Sequence, residues 1–186
     1  MVIEPVPHLF TVDEYEAMGR AGVFPVGKRL ELLGGEIIEM TPIGSRHAAT
    51  VNRLTRWFVT GLGDRAIVAV QNPVVLSDLS EPQPDLALLR PRADFYEAGH
   101  PRPEDVLLVV EVADTTGRWD RSVKRPLYAA AGLAEAWIVD VTARVIDVAR
   151  EPELDGYRSI RLFGVGDAIS PTAFPDLGIT VDEVFA

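Results

Sequence analysis

Hydrophobic and polar residues recur with two different periods along this chain, and the changes of period predict its helices and strands. The run from Thr11 to Glu14 has the form of a capping box and predicts a short helix that ends near Gly19. Ser45 is predicted to cap a second helix over residues 46–62. Apolar residues at helical spacing define the face that this second helix should bury. They are Val51, Leu54, Phe58 and Leu62.

Strand-like segments are distributed along the whole chain. Two short strands are predicted at residues 29–33 and 36–40, joined by a turn at Gly34-Gly35. The strands of the main sheet are predicted at residues 67–70, 74–76, 85–89, 106–113 and 136–141. A short helical turn is expected at residues 181–185, close to the C-terminus.

A helix between two of these strands sets the fold class. It is predicted over residues 120–131, ends at Gly132, and should join a parallel strand pair by a right-handed crossover. Farther on, residues 144–149 and 157–163 alternate around Asp155-Gly156. The pattern therefore predicts an α/β fold, with a mixed central sheet flanked by helices and an additional β-hairpin near the C-terminus.

The most hydrophobic run of the chain, residues 106–113, is apolar on both faces except at Glu111. A strand of this kind should be central and covered on both sides. Burying an ionised carboxylate there costs several kcal/mol unless a cation, hydrogen-bond donors or a proton compensates it. The residues alone leave two interpretations open: Glu111 belongs to a metal site, or it forms a buried ion pair with Lys124 or an arginine.

Two further residues could complete a cation site near Glu111. Asp85 opens another apolar run, so the two acids should lie at the ends of neighbouring strands. The apolar spacing of the following helix aims Lys124 towards the same part of the sheet. Pro126 interrupts this helix and predicts either a kink or a start near Arg125.

Composition narrows the chemistry and the partners. The chain has 186 residues, a length that favours one domain, and it has no cysteine and only three histidines, so a metal site would use oxygen ligands. No signal peptide or membrane span is recognisable, and we expect a cytoplasmic protein without a membrane partner. The net charge of -10 disfavours tight binding to nucleic acid except through a local basic patch or a homodimer. The nearest candidates for that patch are Arg118, Arg121 and Arg125.

Several short stretches, taken in order, resemble a known family. Pro84-Asp85, Glu111 and Lys124 look like the motif of the PD-(D/E)XK phosphodiesterases, which have the restriction-endonuclease-like fold. More specifically, the chain is similar to the bacterial Uma2 family of restriction-endonuclease-like proteins over residues 10–185. The matching stretches are LELLGGE at 30–36, QPD at 83–85, VVEV at 109–112, residues 120–124 with Tyr128 and Gly132, and EAWIVD at 135–140.

The resemblance implies roles for individual residues. It makes Asp85 and Glu111 the metal ligands and Lys124 the catalytic lysine. In the superfamily's usual pattern the lysine stands two residues after the glutamate, where this chain has Ala113. The resemblance therefore implies that the lysine has moved onto the following helix.

Glu31 and His47 complete the candidate site residues. Glu31 resembles an additional acid that many members supply from an N-terminal element, and His47 resembles a family histidine at the start of the second helix. The residues alone leave both roles open. Glu31 could be an exposed strand residue beside the glycine turn, and His47 could be a core histidine with a satisfied hydrogen bond.

The resemblance implies a single restriction-endonuclease-like domain over residues 1–186. It also implies an endonuclease that depends on Mg²⁺ or Mn²⁺ and hydrolyses phosphodiester bonds of nucleic acid. DNA is the expected substrate. The alternative is a non-catalytic binding or assembly module that retains the nuclease fold. In that case Glu111 and Lys124 form a buried pair, and Asp85 caps the entry to its strand.

Overall fold

A six-stranded mixed sheet with helices on both faces forms the centre of the fold. The computed structural model describes residues 6–186. In chain order the elements are α1 (Val12–Arg20), β1 (Leu30–Leu33), β2 (Glu36–Glu39), α2 (Ser45–Leu62), β3 (Ile67–Val70), β4 (Leu86–Leu89), β5 (Val106–Ala113), α3 (Gly117–Trp119), a π-helical segment (Asp120–Lys124), α4 (Arg125–Ala130), β6 (Glu135–Asp140), β7 (Val145–Glu153), β8 (Gly156–Phe163), β9 (Ala168–Ile169), β10 (Ile179–Thr180) and α5 (Val181–Phe185).

The main sheet contains the parallel pair and the C-terminal hairpin that the sequence predicts. The main sheet runs β3-β4-β5-β6-β7-β8. β5 and β6 are parallel, joined by the helical stretch between them, and the other neighbours are antiparallel. β7 and β8 form the predicted C-terminal hairpin. Two small sheets, β1-β2 and β9-β10, complete the α/β fold.

Different helices cover the two faces of the sheet. On one face, α2 and α5 bury a core that includes Phe58 and Trp137. On the other face, α4 packs Tyr128 into a core with Val109. Because side chains alternate along a strand, Glu111 shares the face of Val109 and points towards α4.

Most predicted elements are present, and two details of the prediction are wrong. Thr11 forms the predicted capping box of α1. Ser45 does not cap α2, because the helix begins one residue earlier and the N-cap is Gly44, in an extended conformation. Residues 74–76 are buried but form no named strand among the elements of residues 6–186. Their N–H groups bond to irregular segments that contain Pro82 and Pro101, and proline cannot complete a ladder of hydrogen bonds.

The helical stretch after β5 departs from a regular α-helix in a way that Pro126 explains. It begins at Gly117, widens into the π-helical segment, and returns to α-helix at Arg125, which leaves Pro126 in the first turn of α4. Proline lacks an N–H group and its ring clashes with the carbonyl four residues earlier, so a wider turn before it relieves the conflict. Asp120 and Lys124, the two ends of the π-helical segment, are both buried.

None of the helices within residues 6–186 is both long and apolar enough to cross a membrane.

Candidate active site

A cavity of about 150 Å³ opens where β4 begins and β5 ends, next to α2 and the π-helical segment. Four segments that are distant in sequence supply its buried charged side chains. These are Glu31 from β1, Asp85 just before β4, Glu111 from β5, and Asp120 and Lys124 from the π-helical segment.

The pairing of β4 with β5 brings Asp85 beside Glu111. Leu86 lies opposite Val110 in the antiparallel register, so one further step places Asp85 opposite Glu111. Residues in this relation have Cβ atoms about 4.5–5.5 Å apart and side chains on the same face. The N–H group of Val112 also donates a hydrogen bond to Asp85 Oδ2 at 2.8 Å, which ties the two segments together.

Asp85 is held as a carboxylate by its neighbours. Burial alone would raise its pKa, but hydrogen bonds from His47, Val112 and Gln71 outweigh that effect and lower the pKa. His47 Nε2 lies 2.9 Å from Oδ2, and Gln71 Nε2 lies 3.2 Å from Oδ1. Because an ionised Asp85 can only accept, His47 Nε2 carries the proton in this contact. His47 Nδ1 is buried and has no hydrogen-bond partner in the described part of the chain.

Lys124 joins the two buried glutamates. Its Nζ donates to Glu31 Oε1 at 3.1 Å and to Glu111 Oε1 at 3.2 Å. The other oxygen of Glu31 lies 3.0 Å from the same nitrogen, at an angle that makes no hydrogen bond. The Tyr128 hydroxyl donates a hydrogen bond to Glu111 Oε1 as well. Glu111 is therefore oriented by two donors, and both of them use the same oxygen.

The buried charges move the pKa values of Glu111 and Lys124 upward for different reasons. Burial raises the pKa of Glu111 to about 8, and the attraction of Lys124 only partly offsets it. Burial would lower the pKa of Lys124, but Glu111 and Glu31 more than compensate, so the pKa lies above its usual value. Lys124 is therefore a cation at neutral pH. Glu111 exchanges its proton at a pH close to neutral, because its pKa is about 8.

The cavity contains more acid than base. Burial also raises the pKa of Asp120, against the opposing effects of a hydrogen bond from Thr116 and of Lys124. Four buried carboxyl groups face a single ammonium group, which leaves an excess of three negative charges if all four are ionised. Protons or a cation must compensate such an excess, since burying unpaired charge is costly. Carboxylate oxygens are also the donors that Mg²⁺ and Mn²⁺ prefer, so the residues present fit a divalent ion.

The structure brings together all five residues predicted for the site. Lys124 reaches Glu111 as its inward spacing predicted, and Asp85 lines the same cavity. The two open alternatives are also resolved in position. Glu31 is buried against Lys124 and not exposed beside the glycine turn, and His47 contacts Asp85 and is not confined to the apolar core.

Tyr128 and Gln71 contact the predicted site residues although the sequence interpretation gave neither a place there. Tyr128 follows Lys124 by four residues, and this helical spacing was the available signal that both would face Glu111. Gln71 follows directly after β3 and takes a left-handed conformation with φ 54°. No local pattern pointed to its contact with Asp85.

The predicted basic patch is wrong in one of its three members. Arg121 is engaged within the protein, where Nε donates to Asp147 at 2.5 Å and one terminal nitrogen donates to Asp140 at 3.1 Å. The side chain thereby joins the helical stretch to β6 and β7. Its charge is already compensated, so Arg121 has little left to offer a phosphate.

Comparisons with known proteins agree with this picture. The family model described as "Uma2: Putative restriction endonuclease" matches residues 12–182. A search of curated proteins gives no significant match. Among solved structures, the chain is similar to a protein from Anabaena variabilis ATCC 29413 described as "a putative nuclease belonging to DUF820". The TM-score is 0.72 and the identity 16%, and the alignment covers 95% of this chain and 97% of that chain.

Because the family model covers nearly the whole sequence, the chain belongs to the Uma2 family of restriction-endonuclease-like proteins. The similarity to the Anabaena protein, at low identity, shows that the two share a fold.

Proposed function

We propose that this protein is a divalent-metal-dependent endonuclease that hydrolyses phosphodiester bonds of nucleic acid, most readily DNA. The observation that carries the proposal is the group of four buried carboxyl groups around one lysine in a single cavity. Asp85 and Glu111 would hold Mg²⁺ or Mn²⁺. The chemistry that a bound divalent ion supplies is polarisation of the phosphate and activation of a water molecule.

Lys124 has an electrostatic role in this proposal. Because its pKa lies above the usual value, the ammonium group keeps its proton and is a poor general base. It can instead neutralise the negative charge that develops on the phosphate, or orient the attacking water by donating a hydrogen bond. Glu31 helps to keep the ammonium group charged and in place. The Tyr128 hydroxyl orients Glu111 by a hydrogen bond to Oε1.

His47 and Gln71 have a positioning role. Both donate to Asp85, one to each carboxylate oxygen, and they fix the plane of the carboxylate at the entry to β4. Partners of this kind orient ligating carboxylates in metal sites and are costly to remove.

Metal binding should be visible without a known substrate. Adding Mg²⁺ or Mn²⁺ should raise the melting temperature, because an ion that binds only the folded state stabilises it by about 2.7 kcal/mol at a hundred times its Kd. The rise should be larger above the pKa of Glu111, which is about 8, than well below it, because protons compete with the cation. Differential scanning calorimetry at a series of pH values measures both effects.

Two variants, Asp85→Asn and Glu111→Gln, test which residues hold the ion. Each keeps the shape of its side chain and removes the charge. Both variants should lose most of the stabilisation by Mg²⁺. A melting temperature that does not respond to either ion, in the wild type and the variants alike, would favour the alternative of a non-catalytic module. The contacts of Lys124 with both glutamates are the observation that supports that alternative.

A groove beside the cavity is the surface that we propose for the nucleic acid. It has a volume of about 400 Å³ and lies between the start of α2 and the turn before β7. Arg46, Arg53 and Arg144 line it, and no acid is found among the described residues that do so. Arg46 donates to Asp114, which lines the catalytic cavity, so the groove and the cavity adjoin and the charge of Arg46 is engaged like that of Arg121. Arg53 and Arg144 are therefore the two arginines that we propose for phosphate contacts. In a chain with a net charge of -10, such a surface is where phosphates would gather.

Removing two of these arginines should weaken binding of duplex DNA in a salt-dependent manner. For Arg53→Ser/Arg144→Ser we expect the slope of log K against log salt concentration to fall by roughly 2, about one for each lost phosphate contact. Fluorescence anisotropy in EDTA measures binding without cleavage. Arg161→Ser, on exposed β8, is the control and should leave the slope unchanged. Equal losses in the control and the double variant would remove the groove from the proposal.

A further inference from the structure

A second group of metal-ligating side chains lies outside the catalytic cavity. Glu16, Glu81 and His100 each place one ligand atom within 4.8 Å of the other two. They come from three separate segments: α1, the segment that precedes β4, and the loop before β5. Glu16 and His100 also line a surface cleft of about 690 Å³, from which ions and water can approach.

Glu81 is the unusual member of this group. It is only 4% exposed, and its Oε2 atom is buried without a hydrogen-bond partner within residues 6–186. A buried carboxylate oxygen without a partner is rare, because the loss of its hydration is then uncompensated. Here the same carboxylate reaches towards a second acid and an imidazole. A bound cation would compensate the buried negative charge of this group.

The charges around Glu81 support the same conclusion. Glu16 accepts a hydrogen bond from Arg20 at 2.9 Å, so its own charge is partly compensated at the surface. Arg92 lines the cleft as well, but its guanidinium is bound to Asp94.

We propose that Glu16, Glu81 and His100 form a binding site for a transition-metal ion of the Zn²⁺ class. Two carboxylates and an imidazole suit Zn²⁺ better than Mg²⁺, which prefers oxygen ligands only and keeps its water. Three protein ligands leave a coordination position for water from the cleft. The metal stands apart from the catalytic chemistry, and its site is built whether or not the protein is a nuclease.

An ion at this place would hold the N-terminal part of the fold together. α1 packs on the rest of the protein through a small core of three buried residues: Val12, Leu32 and Val75. Glu81 is also bridged to β1, because its N–H group donates to Leu32 O at 2.7 Å. The residue before Leu32 is Glu31, which binds Lys124. The bound metal would therefore brace the strand that positions Glu31 in the catalytic cavity.

Titration of Zn²⁺ into the Asp85→Asn protein separates this site from the catalytic cavity. Isothermal calorimetry should give one Zn²⁺ per chain, with a rise in melting temperature. Adding His100→Ala to this background should weaken binding by about 100-fold or more, since even indirect partners of a metal contribute 10–100-fold. His100 is exposed, so this change should leave folding intact. Glu81→Gln in the same background should weaken binding similarly.

His8 offers a matched control. It is exposed, lies next to α1 and pairs with Glu14. His8→Ala should leave Zn²⁺ binding unchanged. Because the chain has only three histidines, paramagnetic Co²⁺ should broaden the imidazole NMR signals of His100 and spare those of His8. The inference is overturned if the Asp85→Asn protein binds no Zn²⁺, or if His100→Ala and His8→Ala bind it as tightly as their parent.

Discussion

Replacing Lys124 by methionine should destabilise the protein by about 3–5 kcal/mol, the usual cost of removing one partner from a buried ion pair. Lys124 is 2% exposed and lies within 3.2 Å of carboxylate oxygens of both Glu31 and Glu111. Without it, two buried carboxylates face each other with no cation between them. Chemical denaturation at neutral pH, in EDTA, measures the change in the free energy of unfolding.

Two comparisons make the stability result specific. Lys28→Met removes an exposed lysine that pairs with Glu39, and such surface pairs contribute about 1 kcal/mol or less. Glu31→Gln in the Lys124→Met protein should restore part of the stability, because it removes one of the stranded charges. A Lys124→Met protein as stable as Lys28→Met would mean that the buried contacts of Lys124 contribute nothing to the fold.

Glu111→Gln and Asp85→Asn should each reduce metal-dependent DNA cleavage by about 10²–10³-fold, a loss typical when a group that organises transition-state charge is removed. Both substitutions preserve shape, so the proteins should fold. Glu111→Gln should cost little stability, because Lys124 retains Glu31 and the excess of buried negative charge decreases. The initial rate of nicking of supercoiled plasmid DNA measures the loss.

Glu135→Gln is the matched control for the cleavage experiment. Glu135 is also a fully buried glutamate, but it lies on β6, where it accepts from Trp137, Arg150 and the N–H group of Thr172. Its substitution should lower stability and leave the rate per folded molecule unchanged. If Glu135→Gln lost activity as severely as Glu111→Gln, general loosening of the fold would explain both results.

The sequence predicted the part of the site that depends on strand order. Asp85 and Glu111 each interrupt or open a strongly apolar run, and such runs are typical of strands that are covered on both faces. Once both were assigned to neighbouring strands, their proximity followed from the alternation of side chains. The inward direction of Lys124 followed in the same way from the apolar spacing of its helix.

The remaining features depend on contacts that no local pattern contains. Glu31 lies on a strand of a separate small sheet and meets Lys124 across 93 positions of sequence. Whether its face of β1 is buried depends on the π-helical segment, and not on β1 itself. Residues 74–76 show the opposite error. Their apolar character reflects burial, but the N–H groups of Val74 and Val75 donate to Pro82 and Pro101, which have no N–H group to donate in return, so no regular ladder forms.

The metal dependence of DNA cleavage tests the central claim most directly. The wild type and Asp85→Asn should be purified side by side, stripped with EDTA, and supplied with Mg²⁺ or Mn²⁺ in the presence of plasmid DNA. We expect cleavage by the wild type that appears only when the ion is added, and almost none by Asp85→Asn. Cleavage that proceeds in EDTA, or that is equal in the two proteins, would contradict the assignment of Asp85 and Glu111 as the metal-binding pair.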